Sequence, residues 1–180
     1  MNLAFFDIDT QIDFLFPAGA LYVPGAERLI PALSRLNHYA EAHGIPLVSS
    51  TCAHSEDDPE FHDWPPHCVA GTVGQLKPAE TLLEKRDQQI LFEKSQLDIT
   101  SSPQFQPLLT RLGVDGYVVY GVVTEYCVRF AALALLATGK PVSLVTDAIQ
   151  TLSAEASENT IREFSSRGGR LATVAGVCAM

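Results

Sequence analysis

Tyr117-Val118-Val119-Tyr120-Gly121-Val122-Val123-Thr124-Glu125-Tyr126-Cys127 reads as a buried strand running straight into a helix. The run up to Val123 is apolar throughout rather than at alternate positions, which suits a strand covered on both faces, as in a parallel sheet. Thr124 is a suitable N-cap, and it places Cys127 in the first turn of the helix that follows. Working outward, runs of the same quality lie at Leu3 to Ile8, Ile45 to Ser50, Gln89 to Phe92, Val142 to Thr146 and Arg170 to Val174, so six strands are expected. Helical patterns lie at Glu27 to Ala42, Gln104 to Leu112, Thr124 to Thr138 and Ala154 to Ser166. Gly44, Gly113, Gly139 and Gly168 follow them. A glycine just past a helix is the usual left-handed stop, so punctuation supports the β-α alternation that periodicity suggests. The expected class is α/β, a three-layer α/β/α sandwich with a six-stranded mostly parallel sheet. A chain of 180 residues fits one domain, residues 1–180, and 47% hydrophobic residues can supply a continuous core.

Charge narrows the partners. A formal net charge of -9 repels phosphate, which argues against nucleic acid and anionic membrane. The apolar start is interrupted by Asp7 and Asp9 and has no basic region, so neither a signal peptide nor a membrane anchor is expected. A cytoplasmic location follows. Cys52, Cys68, Cys127 and Cys178 lack the spacing of a disulfide framework and are expected to be reduced.

Cys127 then invites two readings. A first-turn cysteine sits where unpaired N–H groups and the helix dipole favour a thiolate and can hold an oxyanion. It also fits a small buried hydrophobe, the usual fate of a free cysteine. A nucleophile needs a base, and other strand ends supply charged groups. Asp9 leaves the first strand in Asp7-Ile8-Asp9-Thr10-Gln11-Ile12-Asp13-Phe14, and Lys94 leaves another in Phe92-Glu93-Lys94. Asp7 lies inside its strand and reads as a partner for a neighbouring donor. Lys94 could equally be a solvated surface lysine; as a site charge it would serve turnover and not core packing.

Residues Cys52 to Glu84 break the alternation, with Pro59, Pro65, Pro66, Gly71, Gly74, three histidines and the only tryptophan, Trp64. An ordered segment this long after a strand's carboxyl end is a candidate for ligand binding. Glu56-Asp57-Asp58 within it reads as a solvated stretch, and Cys68 as buried and structural.

Four motifs, in order along nearly the whole chain, resemble the isochorismatase-like cysteine hydrolases and, among them, the nicotinamidases. They are Asp9-Thr10-Gln11-Ile12-Asp13-Phe14, Trp64-Pro65-Pro66-His67-Cys68-Val69-Ala70-Gly71-Thr72, Glu93-Lys94 and Gly121-Val122-Val123-Thr124-Glu125-Tyr126-Cys127-Val128. The resemblance implies a Rossmann-like sheet in the order 3-2-1-4-5-6 and a catalytic set in which Asp9 takes the thiol proton, Lys94 stabilises the thiolate and Cys127 attacks an amide carbon. Ammonia leaves and water hydrolyses the thioester. It also implies a cis peptide between Val122 and Val123, with the N–H groups of Val123 and Cys127 as oxyanion hole. Phe14 and Trp64 would sandwich a flat ring. The implied partner is a small-molecule amide, with a carbamoyl or ureido compound as another substrate class and a silent binding module on the same fold as a third reading. Members commonly associate, so a homo-oligomer is open too.

One motif departs from the family. Nicotinamidases bind a divalent metal through Asp-x-His and a further histidine, whereas this chain has Cys52-Ala53-His54, with His67 in its place. Cys52, His54 and His67 form a softer candidate site, for which zinc is the favoured ion, and His62 is an extra candidate ligand. A metal-free site in which the histidines only make hydrogen bonds stays open beside it.

Overall fold

The sheet has helices on both sides, and the computed structural model describes residues 1–180, apart from the side chain of Arg86. The strands are β1 (Leu3–Ile8), β2 (Leu47–Cys52), β3 (Gln89–Lys94), β4 (Gly116–Val122), β5 (Val142–Gln150) and β6 (Arg170–Ala172). They form one sheet in the order β3-β2-β1-β4-β5-β6, and every pairing is parallel. The expected order holds, and the sheet is wholly parallel. The helices are α1 (Ile12–Leu15), α2 (Ile30–Ala42), α3 (Phe105–Leu112), α4 (Arg129–Leu136), α5 (Ala154–Ser166) and α6 (Val174–Val177).

The pleat divides the core in two. Ala4, Phe6 and Ile8 of β1 pack with Leu108 of α3, Leu135 of α4 and Phe164 of α5, whereas Phe5 packs with Leu33 and Leu36 of α2 and Val177 of α6. Side chains of a strand point alternately to opposite faces, so a continuously apolar strand feeds both clusters. The outcome is the expected sandwich of helices, sheet and helices.

The boundaries differ where local chemistry overrides the pattern. β2 starts at Leu47 because the N–H of Ile45 still bonds to the carbonyl of Ala40, and it runs on to Cys52 because pairing with β3 continues as far as Cys52 opposite Lys94. The helix expected from Glu27 is split into a 3-10 turn, Ala26–Leu29, and α2, so that Pro31 falls in a first turn, where its missing N–H costs no hydrogen bond. The helix expected from Thr124 begins as a π turn, Thr124–Val128, in which Tyr126 leaves helical geometry at φ -115°, ψ -106°. Val123 occupies the capping position, and the Thr124 hydroxyl instead donates to the carbonyl of Gln150 at 2.9 Å. Gly121 has φ 123°, and a Cβ there would stand 2.2 Å from the carbonyl oxygen of Ile8; only glycine lets β4 approach β1 at this point.

Candidate active site

Parallel strands put their carboxyl ends on one edge of the sheet, and at that edge four strands deliver charged or nucleophilic side chains. Asp9 follows β1 in the left-handed region, φ 49°, a conformation that costs a non-glycine residue about 1–3 kcal/mol and is characteristic of sites. Its N–H bonds to the carbonyl of Ser50 at 3.1 Å, and Oδ1 accepts from the Ser50 hydroxyl at 2.6 Å. Lys94 closes β3 and places Nζ 2.7 Å from Asp9 Oδ2. The same ammonium donates to the carbonyl of Gln96 at 3.0 Å, to Cys52 Sγ at 3.4 Å and to Cys127 Sγ at 3.6 Å. Asp9, Lys94, Cys52 and Cys127 are all buried. Lys94 is therefore not a surface lysine, and Cys127, buried in the core, faces its ammonium.

Burial works against the charge of Asp9, but the Lys94 ammonium, with hydrogen bonds from Lys94, Ser50 and Cys127, outweighs it and holds the carboxyl below its ordinary range. Burial likewise pulls Lys94 down, and Asp9, Cys127 and Cys52 together push it well above the usual lysine value. The pair is an ion pair at rest. Cys127 goes the other way: interaction with Cys52, then burial, pushes its thiol well above the usual range against the pull of Lys94. The expected bias of the first turn toward thiolate is thus opposed by Cys52 and by burial. The bond from Val122 to Val123 is cis.

Above these groups lies a narrow, mainly apolar cavity. Cys52, Val123 and Cys127 line its floor, Phe14, Trp64 and Tyr126 supply aromatic walls, and Leu21, Val23, Leu97 and Leu152 complete them. Trp64 meets Tyr126 edge-on at 5.5 Å and 84°. Glu60 and His67 line the same space.

The candidate metal ligands are sorted differently from the expectation. Among the described residues, donor atoms of His54, Glu60 and His67 come within 4.8 Å of one another. Cys52 is outside that set because its sulfur is drawn into the Asp9 and Lys94 contacts, 3.6 Å from Asp9 Oδ2. His62 is exposed, with its ring on the carbonyl of Pro59. The three residues suit a divalent ion. His54 Nδ1 is engaged by Asp58 at 3.0 Å while its buried Nε2 has no hydrogen-bond partner, and His67 Nδ1 is engaged by the carbonyl of Pro65 at 2.8 Å. Oriented rings with one nitrogen held by a second group are the usual preparation for metal ligation. Burial lowers the His67 pKa, which favours the neutral ring a metal requires, and burial raises Glu60.

Sequence reasoning missed Glu60 and Asp58. Asp58 is no solvated residue: it caps the 3-10 turn Pro59–His62 through the N–H of Glu60 and orients His54. The Asp-Pro pair is an N-cap and first-turn signal that could have placed Glu60 on an ordered turn. The second buried pair, Asp7 with Lys77 at 2.8 Å, was also unread for its lysine; Asp7 further accepts from Thr10, Asn37 and Ser49 beneath the site.

Similarity to nicotinamidases indicates an amidohydrolase, an enzyme of non-peptide C–N bonds. The isochorismatase domain family matches residues 4–176, and the chain belongs to that family. Similar curated proteins include the nicotinamidase/pyrazinamidase of Mycobacterium tuberculosis, 29% identical over 191 residues with 96% of each chain covered. The nicotinamidase of Escherichia coli K12 is 25% identical over 202 residues, covering 93% of each chain. Among solved structures, the pyrazinamidase of Pyrococcus horikoshii in complex with zinc superposes with a TM-score of 0.87 at 28% identity, over 96% of this chain and 99% of that one.

Proposed function

We propose that this chain hydrolyses a small, neutral, flat aromatic carboxamide of the nicotinamide kind to the acid and ammonia, with Cys127 as nucleophile. The observation that carries this reading is the contact chain from Asp9 through Lys94 to Cys127, whose sulfur lies in a cavity walled by Phe14, Trp64 and Tyr126. Asp9 takes the proton from Cys127 as sulfur bonds to the amide carbon, and Lys94 balances the charge left on sulfur. The N–H groups of Val123 and Cys127 receive the developing oxyanion. Asp9 returns the proton to nitrogen as the C–N bond breaks and ammonia departs. It then takes a proton from water, which attacks the thioester carbon, and the acid and the Cys127 thiol are released.

His54, Glu60 and His67 would hold a divalent ion, zinc by their two-imidazole, one-carboxylate chemistry, and that ion would supply a Lewis acid for a ring nitrogen of the substrate. Among the described residues the cavity lining includes no Lys or Arg to pair with a carboxylate substrate, and its aromatic and aliphatic walls favour neutral aromatic amides over anionic carbamoyl compounds. Ammonia release from nicotinamide, pyrazinamide, benzamide, an aliphatic amide and an N-carbamoyl amino acid tests this. Turnover confined to the aromatic amides is expected; turnover of the carbamoyl compound alone would replace this reading with the carbamoyl one.

A further inference from the structure

Cys52 is a buried nucleophilic group without a task in the proposed hydrolysis. Cys52, the last residue of β2, carries its sulfur to the same ammonium as the nucleophile, 3.4 Å from Lys94 Nζ against 3.6 Å for Cys127. Both cysteines line the cavity, so a small reagent that reaches one reaches the other. Cys52 also has a proton acceptor at hand, Asp9 Oδ2 at 3.6 Å. The remaining cysteines are placed otherwise: Cys68 faces the carbonyl of Gly74 and burial suppresses its ionisation, and Cys178 lies beyond α6.

We propose that Cys52 and Cys127 form an oxidisable dithiol, in which a peroxide oxidises the nucleophile and Cys52 closes an internal disulfide on it. This rests on Asp9 activating Cys127 as proposed for amides. In the first step the Cys127 sulfur, its proton passed to Asp9, attacks one peroxide oxygen and the O–O bond breaks. Two electrons move from sulfur to the peroxide, which leaves as alcohol or water after taking the proton, and Cys127 becomes a sulfenic acid. In the second, Cys52 gives its proton to Asp9 and attacks the Cys127 sulfur; the S–O bond breaks, and hydroxide takes up that proton and leaves as water. An external dithiol returns both thiols by exchange. The disulfide silences the nucleophile and keeps it from the irreversible sulfinic stage.

The test is peptide mapping by tandem mass spectrometry of the purified full chain after brief hydrogen peroxide treatment, before and after dithiothreitol. The expected product links Cys52 to Cys127 with the loss of two hydrogen masses, and dithiothreitol returns the Cys127 thiol nearly in full. In Cys52→Ala, Cys127 should instead advance to sulfinic acid that dithiothreitol does not reverse. Wild-type protein that goes to Cys127 sulfinic acid without a link, or that links Cys127 to Cys68, overturns the proposal. The readout is independent of amide turnover: an inactive chain that forms the link leaves the dithiol standing, and an active amidase that forms none refutes only the dithiol.

Discussion

Asp9 Oδ2 and Lys94 Nζ stand 2.7 Å apart with both side chains withdrawn from solvent. A buried pair of this kind is strongly destabilising when only one partner is removed, because the other charge is left without compensation. Reading Lys94 as a site charge alone leads one to expect a Lys94→Met chain with its fold untouched. Its burial changes that expectation: Lys94→Met should abolish turnover and also lower the unfolding free energy by about 3–5 kcal/mol. Adding Asp9→Asn should restore part of the stability and none of the activity. Urea denaturation of the single and double variants measures this, and equal stability of Lys94→Met and wild type would contradict it.

Asp9 sets an acid-side dependence of stability. Its folded pKa lies below the unfolded value of 3.8, so the carboxylate contributes stability that is complete above 3.8 and is lost as pH falls from there through the depressed folded value. The difference in unfolding free energy between wild type and Asp9→Asn should therefore be constant from neutrality down to that point and shrink below it. Denaturation curves at stepped pH read the difference, and one that shrinks already near neutrality would refute the assignment.

Cys127→Ala removes the nucleophile with little disturbance, since the residue lines the cavity and a methyl group still fits there. Amide hydrolysis should fall by on the order of 10⁴-fold or more. Circular dichroism and melting should change little. Appreciable turnover in this variant would point to a different nucleophile.

The metal-binding set responds through residues on both sides of the histidines. Glu60→Ala and His67→Ala should remove zinc from the purified protein, and Asp58→Asn, which loosens the His54 ring, should weaken binding by about 10–100-fold. Cys52→Ala should have a smaller effect than any of these, because its sulfur belongs to the Asp9 and Lys94 contacts. Zinc titration by calorimetry ranks the four variants, and a dominant loss at Cys52 would return that residue to the ligand set.

Gly74 lies against the Asp13 carboxylate, and a Cβ there would stand 2.1 Å from Oδ2. That carboxylate, on the helix that carries Phe14, accepts from the N–H of Ala20 at 2.9 Å and of Cys68 at 2.7 Å, joining α1 to the loop that carries His67. Gly74→Ala should destabilise the protein by about 1–3 kcal/mol, as overpacking does elsewhere. It should also raise KM more than it lowers kcat. Thermal melting and steady-state kinetics check the two parts separately.

Most of the sheet was legible because most strands carry a short apolar stretch and each expected helix is followed by a glycine; Gly44, Gly113, Gly139 and Gly168 all take positive φ. Asp9, Lys94 and Cys127 were visible for a related reason: charged or nucleophilic residues directly after apolar strands have only the carboxyl edge of the sheet to occupy. Two features were not legible. The π turn at Thr124–Val128 depends on how Tyr126 leaves helical geometry, and no residue pattern announces it. The capture of Cys52 by Lys94 depends on β2 and β3 staying paired to their last residues, a matter of register that a single sequence does not specify.

The proposed reacting groups and one part of the cavity wall come from different parts of the chain. The reacting groups stand at the ends of β1, β3 and β4, fixed by the sheet, while Glu60, Trp64 and His67 come from the segment between β2 and β3. The architecture is therefore modular for engineering. A library confined to residues 55–66 would explore new ring sizes and substituents while the proton-transfer apparatus is inherited unchanged, so selection for altered substrates can proceed without rebuilding the nucleophile.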